Sequence, residues 1–143
     1  MSSSLAATRV RKATMGIDLS IQECEATLAS IVRFKFADND DVPGPYFGSP
    51  FLAQASAKVL DALIDECDRA GDARRAAGWR KWQEWSSRTA ERPVVVRRVA
   101  ASARWDDWIA DQQRDFLSCC VAPFVLTEAD VEDLTAQVRE ARR

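Results

Sequence analysis

Apolar residues recur at helical spacing along most of the chain, and this pattern predicts an all-α protein. The first helix is expected over about residues 20–36, where one face carries Ile21, Cys24, Leu28 and Ile31. Ser20 can accept a hydrogen bond from the first turn and Glu23 can bond back to it, which is the pattern of a capping box. The helix start is therefore specified locally.

The most apolar segment, about residues 50–71, is expected to lie at the centre of the fold. Its apolar residues cover more than half of the helical circumference, so neighbours should contact it on several sides. Ser49 and Pro50 favour a helix start, and Gly71 favours an end in a left-handed cap. Because Asp72 can cap the next helix at once, segments 50–71 and 73–91 are predicted to form a central αα-hairpin.

The five tryptophans suggest how the central helices pack. Trp79, Trp82 and Trp85 are three residues apart, and Trp105 and Trp108 repeat this spacing. Residues three apart share a helix face, and tryptophan buries a large apolar area. We therefore expect the first set to pack against the second as an aromatic seam.

Downstream segments complete a predicted compact bundle of five to six helices. Residues 93–96 are interpreted as a short helix or an extended connector. The next helix is expected over about residues 103–121, with a buried stripe of Trp105, Trp108, Ile109, Gln112, Phe116, Cys119 and Cys120. A final helix should begin at Thr127, which can cap it.

Length and composition favour one helical domain, residues 17–143, preceded by a disordered basic arm, residues 1–16. The chain has 143 residues, 47% of them hydrophobic and 29% charged, which is ordinary for a globular domain. The arm carries Arg9, Arg11 and Lys12 but no acid, so a transit peptide is the alternative interpretation. No segment has the roughly 18 apolar residues of a membrane span, and we expect a cytoplasmic protein with reduced cysteines.

The segment from 37 to 49 is expected to be irregular because it combines acids with glycines and prolines. Asp38-Asn39-Asp40 resembles the start of a calcium loop, but Pro43 and Ser49 stand where an EF-hand needs glycine and glutamate. Calcium is therefore not expected. Tyr46-Phe47 is interpreted either as an exposed docking tip or as a pair that pins the loop to the core.

Charge is distributed in blocks although the formal net charge is only −2. Residues 73–104 hold nine basic and two acidic residues, whereas residues 105–143 hold four basic and nine acidic ones. The basic face predicted from the first block comprises Arg74, Lys81, Arg88, Arg92, Arg97 and Arg98. The acidic face predicted from the second comprises Asp107, Asp111 and Asp115, which recur every four residues.

The sequence offers little for catalysis, metal binding or cofactor binding. It has no histidine, so the commonest general base near neutral pH is absent. Its four cysteines form no CxxC pair, and its five glycines lack the spacing of a phosphate-binding loop. We therefore predict a non-catalytic protein with no metal and no cofactor.

Segregated acidic and basic faces suggest a protein–protein interaction module, such as an adaptor, an accessory subunit or an inhibitor. The same faces would permit head-to-tail homo-oligomers. The alternative is a nucleic-acid-binding accessory protein that uses the basic strip of residues 74–104. Against it, the helical wheel places Trp79, Trp82 and Trp85 opposite most of the cations, whereas single-strand binders present both toward one groove.

Overall fold

This computed structural model describes residues 15–37 and 44–143. These residues form seven α-helices and two short 3-10 helices, joined by short connectors. The α-helices are α1 Ile21–Phe36, α2 Gly44–Phe47, α3 Pro50–Arg69, α4 Ala73–Trp82, α5 Glu91–Ala100, α6 Ala110–Val121 and α7 Glu128–Ala141. The 3-10 helices are Trp85–Ser87 and Trp105–Asp107. These residues contain no β-strand, which confirms the all-α prediction, although the helix count exceeds five to six.

The predicted helix starts and the predicted stop are present. Ser20 Oγ accepts from the Glu23 N–H at 3.1 Å, and Glu23 accepts from the Ser20 N–H at 2.9 Å. Thr127 forms the same reciprocal capping box at the start of α7, whereas Ser49 and Asp72 cap α3 and α4 by accepting from the N–H groups of Leu52 and Arg75. Gly71 ends the α3 segment with φ of 78°, a backbone conformation that favours glycine. Short-range hydrogen bonding therefore fixes these ends, as the sequence indicates.

The central hairpin is formed by α3 and α4, but its second helix is shorter than predicted. It ends at Trp82 rather than near residue 91. Glu84 is extended, and the chain there makes an isolated parallel bridge with Val125, in which the Val125 N–H donates to the Gln83 carbonyl at 2.8 Å. This change of direction sends Trp85 into the core, where its side chain is 1% exposed. Burial of that ring outweighs continuation of the helix.

The helix predicted over about residues 103–121 is interrupted. Trp105 begins a 3-10 helix, Trp108 is extended, and α6 starts only at Ala110. The break changes the register, so Ile109 is 67% exposed and Gln112 is exposed, while Leu117 and Val121 are buried instead. The predicted buried stripe is therefore wrong at Ile109 and Gln112. Upstream, the segment after Pro93 is helical, as one of the two interpretations had it.

Two clusters of buried side chains hold the helices together. The hairpin core joins α1, α3 and α4 and contains Cys24, Leu28, Leu60, Leu63, Ile64, Cys67 and Ala76. The aromatic core joins the end of α1 to α2, α5, α6 and α7 and contains Phe36, Phe47, Trp85, Val95, Val99, Trp105, Leu117, Cys120, Val121, Phe124, Leu134 and Val138. Trp82 packs against both clusters. It therefore links the hairpin to the rest of the bundle.

The predicted aromatic seam is replaced by contacts to phenylalanines. Phe124 lies in the connector between α6 and α7, and its ring centre is 4.9 Å from that of Trp82 and 6.3 Å from that of Trp85. Trp108 packs on Phe116 at 4.7 Å. In the described part of the chain, no ring contact joins the first tryptophan set to the second. The interruptions of both helices turn the two sets away from each other.

Two predictions fall largely outside the described residues. The predicted basic arm comprises residues 1–16, and the structure describes only two of them, residues 15 and 16, which are exposed. The calcium-like sequence Asp38-Asn39-Asp40 lies wholly outside. No helix of the described ranges has the length and apolar character needed to cross a membrane.

Candidate functional site

Arg88, predicted on the basic face, is instead used inside the fold. Its guanidinium lies 4.9 Å from the Trp82 ring centre and 4.3 Å from that of Phe124. The same group donates to the Trp82 carbonyl, with the shorter bond at 2.6 Å. This carbonyl is at the end of α4, so the cation also compensates the negative end of the helix dipole. Burial lowers the pKa of Arg88 from its ordinary value.

Arg98 and Arg92 also make intramolecular contacts. Arg98 donates to the carbonyls of Lys35 and Ala37 at the end of α1, and its guanidinium lies 5.0 Å from the Phe47 ring centre. Arg92 Nη1 is 3.2 Å from an Asp133 carboxylate oxygen, which joins α5 to α7. Three of the six predicted basic-face residues therefore connect elements of the fold.

The remaining predicted site residues are exposed but do not share one surface element. Arg74 and Lys81 lie on α4, and Arg97 lies on α5. Of the predicted acidic face, Asp111 and Asp115 lie on α6, while Asp107 belongs to the preceding 3-10 helix.

Lys35 is the most deeply buried charged side chain among the described residues, at 1% exposure. Its Nζ donates to the carbonyls of Cys119 and Ala122, at 2.9 and 2.6 Å. These carbonyls lie at the C-terminal end of α6, where α-helices leave acceptors without partners and carry partial negative charge. Lys35 thus joins α1 to the end of α6 from inside the protein.

Burial lowers the pKa of Lys35 from 10.5 to about 8. The facing titratable groups are the thiols of Cys119 and Cys120, whose pKa values burial raises although the lysine opposes the increase. Sequence reasoning missed Lys35, although it stands seven residues after buried Leu28 and so continues the apolar stripe of α1. A lysine on such a stripe was the available signal.

Of the two aromatic residues in the segment after residue 43, one is buried and the other is exposed. Phe47 is buried in the aromatic core, so it pins this segment to the fold. Tyr46 is exposed and meets Phe34 edge-on at 6.1 Å. The next residue, Gly48, packs so closely on α6 that an added Cβ would lie 2.8 Å from the Phe116 ring. The start of α3 is therefore held firmly against α6.

A cleft of about 700 Å³ opens between α3, the end of α4 and the start of α7. We call it the acidic cleft. It is lined by Asp61, Ile64, Asp65, Arg80, Gln83, Glu84, Ser86, Val125, Thr127 and Asp130. Four of these residues are acidic and one is basic. Sequence reasoning missed this cleft because its lining comes from three separated segments.

The charges of the acidic cleft are poorly balanced within the protein. Its arginine, Arg80, pairs with Asp68 at 2.6 Å. Asp130 accepts from the Thr127 N–H as part of a helix cap. By contrast, Asp61, Asp65 and Glu84 have no cationic partner among the residues that the structure describes. In the described structure, three carboxylates of the cleft therefore form no ion pair.

An apolar groove of about 330 Å³ lies between the first half of α3 and the end of α6. Its walls are Pro50, Ala53, Gln54 and Ala57 on one side and Ser118, Cys119, Ala122, Pro123, Phe124, Val125 and Leu126 on the other. Val125, 53% exposed, lines both this apolar groove and the acidic cleft.

Within the described ranges, no three or more cysteine, aspartate or glutamate side chains come together in a way that could hold a metal ion. No known protein family, curated protein or solved structure matches the chain. The candidate site therefore rests on geometry and charge alone.

Proposed function

We propose that this protein is a non-catalytic interaction module whose acidic cleft binds a basic segment of a partner protein. The observation that carries the proposal is the set Asp61, Asp65 and Glu84, three carboxylates without a cationic partner in the described chain. They line a concave surface to which Ile64 and Val125 add apolar atoms. A partner's lysines or arginines would supply the missing charge.

The position of the acids on α3 supports a role in binding. Asp61 and Asp65 are four residues apart, so their like charges repel on one helix face. Both lie in the C-terminal half of α3, toward the negative end of the helix dipole. This arrangement weakens the helix slightly, and natural proteins often accept a local loss of stability where a surface serves binding.

The floor of the acidic cleft suits the stems of long cationic side chains. Ile64 and Val125 contribute apolar atoms to the lining of the cleft. Lysine and arginine bury their methylene groups against apolar surface while the charged head reaches outward. Electrostatic complementarity of this kind contributes to partner choice and to association rate.

The nucleic-acid alternative receives less support from the geometry. Its strip includes Arg88, Arg92 and Arg98, whose guanidinium groups contact carbonyls, rings or Asp133 within the fold.

The four cysteines are free, three of them buried, and this favours the reducing cytoplasm that we expect for the protein.

Affinity capture with three baits tests the proposal. The baits are the wild-type chain, an Asp61→Lys/Asp65→Lys variant and an Asp111→Lys/Asp115→Lys control, which makes the same charge change on α6. We expect a partner to bind the wild type and the control but not the cleft variant. Direct binding of that purified partner should show the same pattern. Equal binding to all three baits would refute the acidic cleft as the binding site.

A nucleic-acid binding assay distinguishes the proposed function from the nucleic-acid-binding alternative. Binding of DNA and RNA at low salt would be measured for the wild type and for Arg74→Glu/Lys81→Glu. Our proposal predicts no measurable binding by either protein. Wild-type binding that weakens steeply with salt and is lost in the variant would favour the nucleic-acid function instead.

A further inference from the structure

We propose that the acidic cleft and the apolar groove form one continuous channel that accepts an amphipathic helix of the partner, with an apolar face along one half and cations along the other. This inference rests on the proposed function and names the kind of segment that would bind. Its first support is that Val125 lines both concavities. The two concavities therefore adjoin at this residue.

The channel follows one stripe of α3. On the helical wheel, its residues lie within about 60° of a single line along the helix, and all of them except Ile64 lie outside the hairpin core. In order they are Pro50, Ala53, Gln54, Ala57, Asp61, Ile64 and Asp65. At about 1.5 Å per residue, the stripe is roughly 22 Å long. This length matches a partner helix of about four turns.

The opposite wall of the channel is held in place by the fold. The Val125 N–H donates to the Gln83 carbonyl at 2.8 Å, and the Trp85 N–H donates to the Val125 carbonyl at 3.4 Å. The neighbouring Phe124 is 2% exposed and contacts Trp82 and Trp85. A connector anchored in this way provides a preformed surface, which reduces the ordering that binding requires.

The apolar half of the channel is shaped by small side chains. Ala53 and Ala57 stand one turn apart on α3, and Ala122 lies on the other wall. Small side chains leave room for larger apolar residues of a partner, which is how a helix inserts its i, i+3/i+4 and i+7 anchors into a groove. Toward Asp61 and Asp65, the same channel becomes acidic. One end of the partner helix should therefore carry lysine or arginine.

A helix fits this channel better than an extended peptide. The α3 wall between Ala53 and Asp65 is an intact helix whose backbone groups bond within it, so it offers few hydrogen bonds to a partner backbone. An extended peptide would bury its own N–H and C=O groups without partners. A helix satisfies these groups internally and needs only side-chain contacts.

Selection from a phage-displayed library of random 16-residue peptides tests this inference on the full chain. We expect enriched sequences with apolar residues at i, i+3/i+4 and i+7 and with lysine or arginine concentrated at one end. A proline placed at the centre of the best peptide should abolish its binding, because proline breaks a helix. Enrichment of sequences without this pattern, or tolerance of the proline, would overturn the proposal.

Variants in each half of the channel, with matched controls, measure what that half contributes to peptide binding. Ala57→Glu in the apolar half and Asp61→Lys/Asp65→Lys in the acidic half should each weaken the selected peptide at least tenfold. The controls Ala57→Ser and Asp111→Lys/Asp115→Lys should change its affinity less than twofold. Thermal unfolding would verify that every variant remains folded.

The outcomes separate this inference from the proposed function. Basic peptides that respond to the Asp61/Asp65 variant but not to Ala57→Glu would overturn the continuous channel and leave the acidic cleft as a binding site. Failure of both variants to weaken the peptide, or no enrichment at all, would overturn both proposals. If the wild type self-associates in sedimentation and Ala57→Glu abolishes this, a second copy occupies the channel and the partner-helix inference fails.

Discussion

Two cations of the region 88–98 are directed into the fold, whereas two carboxylates of α3 are directed toward solvent. Arg88 and Arg98 turn inward and donate to the carbonyls of Trp82 and Lys35, whereas Asp61 and Asp65 turn outward with no cation beside them in the described structure. In the sequence, both regions look like surface charge. The difference shows that the density of charge along a chain does not reveal which charges are used in folding.

Side-chain chemistry explains the difference. Arginine has a long apolar stem and five N–H donors, so it can cover an aromatic ring and bond carbonyls at a helix end at the same time. Aspartate is short and accepts only, and it cannot bond the carbonyls at the end of α3. Arg88 and Arg98 therefore stabilise the fold, while Asp61 and Asp65 remain exposed to solvent.

Replacement of Arg88 by alanine should have the largest effect. It removes charge-assisted hydrogen bonds to the Trp82 carbonyl and two cation–ring contacts, and we expect a loss of about 3 kcal/mol in the free energy of unfolding. Arg88→Lys should recover only part of this, because an ammonium lacks the planar fork. Urea denaturation measures both variants. Wild-type stability in Arg88→Ala would contradict the inward role of this cation.

Lys35 should make stability depend on pH in a defined direction. Its pKa is about 8 in the folded protein and 10.5 ordinarily, so between these values the unfolded chain binds more protons and stability rises with pH. The difference in unfolding free energy between wild type and Lys35→Met should therefore change by about 2 kcal/mol in favour of the wild type from pH 8 to pH 10.

The comparison with Lys35→Met is needed because the buried thiols act in the opposite direction. Burial raises the pKa values of Cys119 and Cys120, so the unfolded chain loses these protons first and stability falls as pH rises. The thiols are present in both proteins, and their effect largely cancels in the difference. A difference that stays constant from pH 8 to pH 10 would show that Lys35 is not held in a buried charged state.

Arg98→Ala should have an intermediate effect of about 1.5 kcal/mol, because its bonds to the carbonyls at the end of α1 are only partly shielded from water. The loss should appear in urea denaturation. Hydrogen exchange near Phe36 should also become faster, since Arg98 holds the end of α1. If Arg98→Ala left both quantities unchanged, Arg98 would not contribute to the stability of the fold and would resemble the exposed Asp61 and Asp65 in this respect.

Neutralising the outward carboxylates should have the smallest effect and the opposite sign. Asp61→Asn/Asp65→Asn removes a like-charge pair and two negative charges from the C-terminal half of α3, so we expect a gain of up to about 0.5 kcal/mol. Partner binding should nevertheless weaken. A clear loss of stability in thermal unfolding would mean that these carboxylates support the fold, and it would remove the contrast with Arg88.

The sequence predicted where helices begin better than it predicted which residues pack together. Helix starts at Ser20, Ser49, Asp72 and Thr127 were correct because each depends on hydrogen bonds within a few residues. The end of α4 was missed because it depends on Val125, about forty residues away. The tryptophan seam failed for the same reason, since Phe124 became the common neighbour of Trp82 and Trp85.

The candidate site shows the same limit. The sequence indicated Arg74, Lys81, Arg88, Arg92, Arg97 and Arg98 as one basic face and Asp107, Asp111 and Asp115 as one acidic face. In the structure, three of these cations contact other elements of the fold, and the acidic cleft lies between α3, the end of α4 and the start of α7 instead. A helical wheel describes one helix at a time, so it cannot show a cleft between three segments.

The sequence by itself determined that this chain is helical, because apolar spacing and capping residues act over one or two turns. Only the tertiary structure decided which charges remain exposed at the surface. That outcome depends on which carbonyls and rings are brought near each cation. Lys35 meets the end of α6, Arg88 meets Phe124, and Asp61 meets neither a cation nor a helix start in the described chain.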